Sequence, residues 1–370
     1  MEAERSIPED SIVRMVELVE PTVTIRDAEL AVAGSQSVYH LNIEADRGSD
    51  EWVLKAPRDE SSVDIGTEAR LLTTVAEHTS IPVPEVIGLV DTHETFPTPY
   101  LVMERLPGEN LPKRAIGALS DDTLERIARE SGRYLAELHQ LDGPSGFGLI
   151  TTEPDRSLVG ERPAGELEQL RVTDLQGTSA TDTSAWPRVF GTWAEDTLSR
   201  IESTQFGDLT DDVRPVLEEL IDRMDDSYLP VIGRVDHGLH NLLIEPDTGE
   251  ITGVIDWAFT MSIPATYDVV CVEANLAMDP WSMHPSTPDR RELVRSGIRD
   301  GYLEVAGSDT AERIEQQRSA YLLLALLRAM EHLDMMPEFV MRGASERERQ
   351  ESVQAYRRTV KVVLENTEVV

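Results

Sequence analysis

Three oxygen-bearing side chains stand around one short turn, in the stretch VDHGLHNLLIEPDTGEITGVIDWAF (235–259). Asp236 begins the pattern, Asn241 follows five positions later, and Asp256 ends the second of two apolar runs. Between the runs NLLIE and EITGVID lies PDTG, whose proline, aspartate and glycine are typical of a turn. A hairpin centred near 248–249 would bring Asn241 and Asp256 together at its open end, with Asp236 in the entering loop.

These residue types suit phosphoryl transfer. Carboxylate and amide oxygens are hard ligands for Mg²⁺, which takes one or two protein groups and leaves other positions to phosphates and water. A further carboxylate that is free of the metal can accept the proton of a hydroxyl nucleophile. Asp-x4-Asn alone is common by chance. The same spacing followed by a hairpin and a terminal Asp-Trp is a much more specific signal of phosphoryl transfer.

Two other interpretations of this stretch stay open at the level of the residues. His237 and His240 form H-x-x-H, which can bind zinc, but the flanking pattern is not a long helix and no cysteine lies nearby. Alternatively, all three oxygen-bearing residues are cap and turn residues with a purely structural role.

A lysine and a glutamate form a second candidate group. EWVLKAP (51–57) alternates like a strand and carries Lys55, while TEARLLTTVAEH (67–78) has helical periodicity with Glu68 on its apolar face. A carboxylate on a buried face needs a partner, because an unpaired buried charge is costly. The alternative is that Glu68 lies near the helix start, where the dipole and solvent stabilise it.

Lysine is rare in this chain, which has only Lys55, Lys113 and Lys361. Each is therefore a candidate for a specific role. The alternative is that they are surface lysines left in a sequence whose coding favours arginine.

The remaining elements indicate a strand-rich first part and a helix-rich second part. Strands are predicted over 28–43 (around a turn at Gly34 and Ser35), 81–89 and 99–106, and helices after Ser120 and over 187–203, 211–226 and 311–336. Residues 151–185 are predicted to be a surface excursion with a short helix at GELEQLR. LPGENLP (106–112) marks a boundary between lobes 1–106 and 107–370.

The composition indicates a soluble protein with a substantial core. The chain has 370 residues, of which 40% are hydrophobic, and its start resembles no signal peptide. Its longest apolar run, Tyr321 to Leu327, is too short to span a bilayer. The single cysteine, Cys271, excludes an internal disulfide and a cysteine-based zinc site. We expect a cytoplasmic protein with no membrane association and no obligate protein partner.

The net charge of −35 comes from 69 acidic and 34 basic residues spread along the chain. No basic stripe is present, which argues against nucleic acid as a partner. Because the acidic excess is spread over the whole chain, it favours adaptation to high salt, where mobile ions screen the repulsion between carboxylates. The alternative is an acidic surface that binds a cationic ligand.

Taken together, the motifs resemble the aminoglycoside phosphotransferase family, which shares the protein-kinase-like fold with choline kinase relatives. The resemblance rests on Lys55, Glu68, YLVMERLPG, LAELHQLD and VDHGLHNLLI…VIDW…YDV, and it spans about residues 28–275. It implies an α+β, two-lobed fold. The N-terminal lobe would be an antiparallel sheet with one main helix, and the C-terminal lobe would be larger and mainly helical.

The resemblance also implies roles for individual residues. In an ATP- and Mg²⁺-dependent kinase, Lys55 would hold the α- and β-phosphates and pair with Glu68, and Asp236 would be the catalytic base. Asn241 and Asp256 would bind Mg²⁺, and Asp268 would brace the catalytic loop. The hinge that receives adenine would be formed by Met103, Glu104 and Leu106, and the phosphate loop by Gly34 and Ser35.

Two departures from the family pattern bear on activity. The family commonly begins its catalytic motif with His-Gly-Asp, whereas this chain has Arg234-Val235-Asp236, a change that affects rate more than reaction type. The turn AGSQSVY has one glycine, so phosphate contacts there would come from backbone N–H groups and serines. The sequence predicts phosphoryl transfer to a hydroxyl of a small molecule, and a silent nucleotide-binding regulator or scaffold is the alternative.

Overall fold

A computed structural model describes residues 7–31, 36–45, 48–58, 64–174, 184–225, 227–307 and 309–367. The chain forms two compact units, each assembled from several stretches. The first contains Met1–Pro107, Ile150–Arg171 and Thr252–Phe259, and the second contains Gly108–Leu149, Val172–Ile251 and Thr260–Val370. The single lobe boundary at residue 106 stays a prediction. The first unit also includes two stretches that come after this boundary in the sequence.

The secondary structure follows the predicted change from strands to helices. The helices are α1 (Glu9–Val19), α2 (Ile65–His78), α3 (Asp121–Leu138), α4 (Trp186–Ile201), α5 (Thr210–Asp222), α6 (Ala265–Ala277), α7 (Arg291–Ala306), α8 (Asp309–Met335), α9 (Pro337–Val340) and α10 (Glu346–Asn366). The strands are β1 (Thr24–Leu30), β2 (Gln36–Ala45), β3 (Gly48–Pro57), β4 (Val86–Val90), β5 (Tyr100–Glu104), β6 (Glu109–Asn110), β7 (Gly148–Thr151), β8 (Val159–Glu161), β9 (Arg171–Thr173), β10 (Val231–Gly233), β11 (Leu242–Ile244), β12 (Ile251–Val254) and β13 (Met261–Ile263). Within the described stretches, no helix is both long and apolar enough to cross a membrane.

A six-stranded antiparallel sheet, in the order β1-β2-β3-β5-β4-β8, forms the first unit. On β3, Leu54 and Ala56 belong to a buried apolar core that includes residues of α1. Because successive side chains of a strand point to opposite faces, Lys55 lies on the other face. Its neighbours across the sheet are Val38 on β2 and Leu101 on β5, so Lys55 stands on a central strand.

Helix α2 carries Glu68 in its first turn. Asp64 is the N-cap, and its side chain accepts a hydrogen bond of 3.1 Å from the Thr67 N–H. Every residue of α2 from Ile65 to Val75 is buried, which is unusual for an amphipathic helix. Glu68 is therefore enclosed although it lies near the helix start, where its charge also suits the helix dipole.

The predicted surface excursion at 151–185 is mostly exposed in its first half, but it contains a strand that the sequence did not predict. Strand β8 pairs with β4 and extends the sheet of the first unit. At Gly160 the backbone has a φ of 85°, and a Cβ atom would lie 2.1 Å from the Leu18 carbonyl oxygen. Only glycine fits this close approach. The GELEQLR segment contributes a 3-10 helix over Leu167–Gln169, and residues 175–183 lie outside the described part.

The second unit is mainly helical and contains a four-stranded sheet, in the order β10-β13-β7-β9. Helices α3 and α7 approach closely: a Cβ atom at Gly301 would lie 1.9 Å from the Arg129 carbonyl oxygen. Helix α8 brings Tyr321 into an aromatic cluster with Trp186 and Tyr267. The antiparallel sheet of the first unit and the helical second unit confirm the predicted α+β class.

The predicted hairpin turn is present after β11. The Glu245 N–H donates to the Glu250 carbonyl at 2.9 Å, and Gly249 has a φ of 74°. The boundary between the two units falls after Ile251, the first residue of β12. Asn241 and Asp256 thus belong to different units, and their meeting at the open end of the hairpin stays a prediction.

Candidate active site

A buried ion pair joins β3 and α2 in the first unit. The Lys55 ammonium donates to both carboxylate oxygens of Glu68, at 2.8 Å each, and lies 3.2 Å from Asp256 Oδ1. Lys55 is 6% exposed and Glu68 is 1% exposed. The Trp257 N–H also donates to Glu68 Oε1, at 3.2 Å. The structure therefore brings together three of the residues that the sequence singled out.

The charges of this cluster keep the lysine protonated. Burial by itself lowers the pKa of Lys55, but the carboxylates of Glu68 and Asp256 outweigh it and raise the pKa. Two carboxylates thus surround one ammonium. The Asp256 side chain is 50% exposed, so its carboxylate is the member of the cluster that remains open to a ligand.

Asp256 has an unusual backbone conformation. With a φ of 61°, it is the one non-glycine residue of positive φ among the residues that the structure describes. Aspartate tolerates the left-handed region better than most residues, and such strain clusters at functional sites. The Val254 N–H donates to the Pro82 carbonyl at 2.7 Å, and the Trp257 indole donates to the Val254 carbonyl at 3.0 Å. These contacts fix the backbone before Asp256, and the bond from the Trp257 N–H to Glu68 fixes it after Asp256.

The predicted hinge follows β5. Its backbone groups are already partly engaged, because the Glu104 N–H donates to the Glu85 carbonyl and the Arg105 N–H donates to the Glu51 carbonyl. For the Leu106 N–H, the described part of the chain contains no acceptor. The buried Met103 pairs with both neighbouring strands. If this segment receives a base, Leu106 is the residue with a free N–H to offer.

The predicted phosphate loop at Gly34 and Ser35 lies outside the described residues. The description resumes with Gln36 and Ser37 at the start of β2, both of them buried.

Asp236 lies in the second unit, in the loop after β10, and is hydrogen-bonded on both carboxylate oxygens. His240 Nε2 lies 3.0 Å from Oδ1, and Asn241 Nδ2 donates to Oδ2 at 3.0 Å. The same amide nitrogen donates to the Asp236 carbonyl at 2.9 Å. The predicted base and one predicted metal ligand are therefore in direct contact.

The environment of Asp236 keeps its carboxyl group ionised. Burial favours the protonated acid, but the hydrogen bond from His240 and the charges of His240, Arg234 and Lys113 outweigh burial and hold its pKa well below the usual range. At neutral pH the group is therefore a carboxylate, the form that can accept a hydrogen bond from a hydroxyl group.

Three side chains, two from helix α6 and one from strand β6, hold the loop that carries Asp236. Asp268 on α6 accepts a 2.7 Å hydrogen bond from the Arg234 N–H, and its other contact is His139 Nε2 at 3.0 Å. Asn275, also on α6, donates to the Val235 carbonyl. Asn110 on β6 donates to the His240 carbonyl at 2.6 Å. This arrangement agrees with a bracing role for Asp268.

No role was predicted for His139, Asn110 or Asn275. His139 lies within LAELHQLD, a motif that supported the resemblance, and this was its only signal. Nothing in the spacing of the two asparagines marks them, because each acts through a backbone carbonyl that is distant in sequence.

The two histidines of the H-x-x-H pattern have different partners. His237 Nε2 lies 2.9 Å from Ser131 Oγ on α3, whereas His240 contacts Asp236. Burial lowers the pKa of His237 to about 3, so the ring is neutral. In the described part of the chain, no group of three or more His, Cys, Asp or Glu side chains could hold a metal ion. The geometry gives the zinc interpretation no support.

Comparisons with known proteins agree with this geometry. The model of the phosphotransferase enzyme family (APH) matches residues 29–308. No curated protein sequence matches the chain.

Among solved structures, the chain is similar to a thermostable mutant of the aminoglycoside phosphotransferase APH(4)-Ia, in a ternary complex with AMP-PNP and hygromycin B. The TM-score is 0.57 at 16% identity, over 97% of this chain and 99% of that one. It is also similar to wild-type aminoglycoside 2'-phosphotransferase-IIIa in complex with GDP, with a TM-score of 0.55 at 13% identity, over 96% and 99% of the two chains. These likenesses show a shared fold and confirm the predicted protein-kinase-like class. The family match covers most of the sequence, and the chain therefore belongs to the phosphotransferase enzyme family.

Proposed function

We propose that this phosphotransferase moves the γ-phosphate of ATP to a hydroxyl group of a small molecule, with Mg²⁺ as cofactor. The observation that carries the proposal is the buried Lys55–Glu68 pair with Asp256 beside it. An ion pair removed from water is costly, and it contributes little stability that an apolar pair could not supply. The Asp256 carboxylate beside this pair is half exposed, so a charged ligand can reach the cluster from solvent.

The first unit would bind the nucleotide. Lys55 would contact the α- and β-phosphates while Glu68 keeps its side chain in place. The backbone of Met103, Glu104 and Leu106 would receive adenine, and the Leu106 N–H has no acceptor among the residues that the structure describes. The solved relatives named above bind AMP-PNP or GDP, which supports nucleotide binding and leaves the choice of ATP as our proposal.

The side chains of Asn241 and Asp256 fit Mg²⁺ by their chemistry. The Asn241 amide nitrogen is used in bonds to Asp236, which leaves its amide oxygen for a cation. Asp256 adds a carboxylate that is open to solvent on one side. One or two oxygen ligands from the protein are usual for Mg²⁺ at a phosphate site. When bound, the ion would neutralise charge on the phosphates.

Asp236 would orient the acceptor hydroxyl and take its proton. The hydroxyl oxygen forms a bond to the γ-phosphorus while the bond from that phosphorus to the bridging oxygen breaks, and ADP leaves. His240 and Asn241 hold the Asp236 carboxylate in place. The positioning of the hydroxyl group by this carboxylate therefore contributes more to the rate than the basicity of the carboxylate.

A silent nucleotide-binding protein is the alternative, and Arg234-Val235 in place of His-Gly is its main support. The structure weakens that support. Asp268 holds the loop through the backbone N–H of residue 234, a group that nearly any residue at this position provides. The loop therefore keeps its anchor despite the replacement.

The test is phosphoryl transfer with Mg-ATP and a panel of hydroxyl acceptors, in which the phosphorylated product is detected together with ADP. Nucleotide binding is measured separately by calorimetry. We expect transfer by the wild type, and transfer about 10²–10⁴-fold slower by Asp236→Asn at equal nucleotide affinity. Nucleotide binding without transfer to any acceptor, and no difference between the two proteins, would establish the silent alternative.

A further inference from the structure

Lys113 lies beside the predicted base. It begins the 3-10 helix Lys113–Gly117, which contacts the 3-10 helix Leu239–Asn241 of the loop that carries Asp236. Its ammonium is close enough to Asp236 for its charge to help lower the pKa of that carboxyl. The side chain is half-buried, so it is held near the loop and is still reached by solvent.

The ammonium of Lys113 makes no hydrogen bond and no ion pair with any residue that the structure describes. The next residue is different, because Arg114 pairs with Glu348 at 3.2 Å and stacks over the Trp281 ring at 4.8 Å. Of these two neighbouring cations, Arg114 has structural partners, and Lys113 has none among the described residues. In a chain with 69 acidic residues, an unpaired lysine is unexpected.

The acidic group that competes for Lys113 is Asp279, whose pKa is raised by burial against the charge of Lys113. Its Oδ1 accepts the N–H groups of Trp281 at 2.7 Å and Ser282 at 3.1 Å. Its Oδ2 accepts the Ser282 hydroxyl at 3.2 Å. Both oxygens already have donors, so Asp279 acts as a cap for the turn that follows α6 and leaves the lysine unpaired.

We propose that the acceptor of this enzyme carries an anionic group, a carboxylate or a phosphate, near its reacting hydroxyl, and that Lys113 binds it. The inference rests on the proposed function, because it takes Asp236 as the group that receives the hydroxyl proton. A lysine ammonium is a compact point charge that suits such anions, and it repels acceptors that carry an ammonium group at this position.

The test uses four three-carbon hydroxyl compounds that differ in charge: glycerol, glycerate, glycerol 3-phosphate and 3-amino-1,2-propanediol. Binding of each compound is measured by calorimetry, and transfer is measured with Mg-ATP, at one fixed KCl concentration. We expect glycerate or glycerol 3-phosphate to bind at least tenfold more tightly than glycerol, and the amine to bind most weakly. The two anions separate a carboxylate site from a phosphate site.

Lys113→Gln should reduce the preference for the anion over glycerol at least tenfold and leave nucleotide affinity unchanged. Lys113→Arg should keep part of the preference, and Lys361→Gln, at an exposed lysine on α10, should keep all of it. Equal binding of anion and glycerol by the wild type, or an unchanged preference in Lys113→Gln, overturns the inference. Transfer that favours the amine overturns it as well, while leaving the proposed function intact. Anion binding that depends on Lys113, with no transfer to any acceptor, counts against the proposed function alone.

Discussion

Asp236 has a hydrogen bond on each carboxylate oxygen before any substrate binds. A substitution that keeps its shape and removes its charge separates proton transfer from positioning. We expect Asp236→Asn to lower kcat by about 10²–10⁴-fold, the range that general-base catalysis contributes. Nucleotide affinity should not change.

The matched control for this change is Asp247→Asn, at an exposed aspartate in the turn of the same hairpin. It alters the net charge equally and should leave kcat at the wild-type value. If Asp236→Asn retains most of the wild-type kcat, Asp236 is not the base.

Lys55 and Glu68 should behave as one unit. Lys55→Met leaves Glu68 buried and unpaired, which costs about 3–5 kcal/mol of stability. The double variant Lys55→Met/Glu68→Gln removes both charges and should recover much of that loss, while nucleotide binding stays weak. Chemical unfolding and calorimetric titration with ATP measure the two effects.

Lys361→Met is the control, since it removes a lysine from the exposed face of α10. It should change neither stability nor ATP affinity appreciably. Recovery of ATP affinity in the double variant would mean that the pair has only a structural role.

The positive φ of Asp256 permits a test of strain separately from charge. Both Asp256→Asn and Asp256→Ala remove the contact of a carboxylate with Lys55. Asparagine tolerates the left-handed region, whereas alanine adds about 1 kcal/mol of strain. We expect Asp256→Ala to unfold at a lower denaturant concentration than Asp256→Asn, with both variants inactive. Equal stability of the two would show that the backbone relaxes at this position.

At the scale of elements, the contact of His237 with Ser131 ties the loop that carries Asp236 to α3. The pKa of His237 falls from 6.5 to about 3 in the folded protein because of burial. Between these values the unfolded chain binds the proton and the folded chain does not. Acid therefore favours unfolding, by up to about 1.4 kcal/mol per pH unit for this one group.

His237→Gln keeps a polar group that can reach Ser131 but cannot titrate. Its stability should fall less steeply than that of the wild type as pH decreases from 6 to 4. Urea unfolding at several pH values measures both slopes. Parallel curves for the two proteins would contradict the burial of a neutral histidine.

Periodicity predicted the elements whose pattern is local. The alternation of EWVLKAP and the apolar stripe of TEARLLTTVAEH correspond to β3 and α2, and Ser120 is the N-cap of α3 as expected. Strand β8 has only three residues and shows no alternation of apolar and polar side chains. Its pairing with β4 and the close contact of Gly160 define it instead. Helix α6 is apolar on most of its surface, so it lacks the one-sided stripe that would have revealed it.

The same limit applies to the site. Asp236 and Asn241 are five positions apart, and the sequence predicted their neighbourhood. Lys55 and Glu68 required a resemblance in addition to periodicity. The sequence offered no means of placing Lys113 beside Asp236, because tertiary packing alone joins the two 3-10 helices that carry Lys113 and Asn241.

For the whole molecule, charge is the dominant feature. Many arginines lie in local ion pairs, such as those of Arg214 with Glu195 and Glu202 and of Arg357 with Asp208. Exposed pairs contribute little each, and the acidic side chains outnumber the basic ones about two to one, with 69 against 34. We propose that the surface is adapted to high salt.

Thermal unfolding should therefore depend on salt. The Debye length falls from roughly 30 Å at 0.01 M to 3 Å at 1 M, so repulsion between surface carboxylates weakens as KCl increases. We expect Tm to rise across this range, and Mg-ATP to raise it further at each KCl concentration through binding to the folded state.

Choline chloride at the same ionic strength is the control. A similar rise with both salts indicates general screening, whereas a rise with KCl alone indicates specific ion sites. A Tm that is flat or falls with salt would favour the alternative, an acidic surface that binds a cationic ligand.

The assembly of the first unit from distant stretches has a consequence during protein synthesis. After residue 107, the ribosome must add about 150 more residues before Phe259 and the last part of this unit exist. At typical elongation rates that interval lasts roughly 8–30 s. Until β8 is made, β4 is an uncovered sheet edge, the kind of surface that pairs with other chains. Until Asp256 is made, the Lys55–Glu68 pair lacks the third member of its charged cluster. The nascent chain is thus most exposed to aggregation, and most in need of a chaperone, midway through its translation.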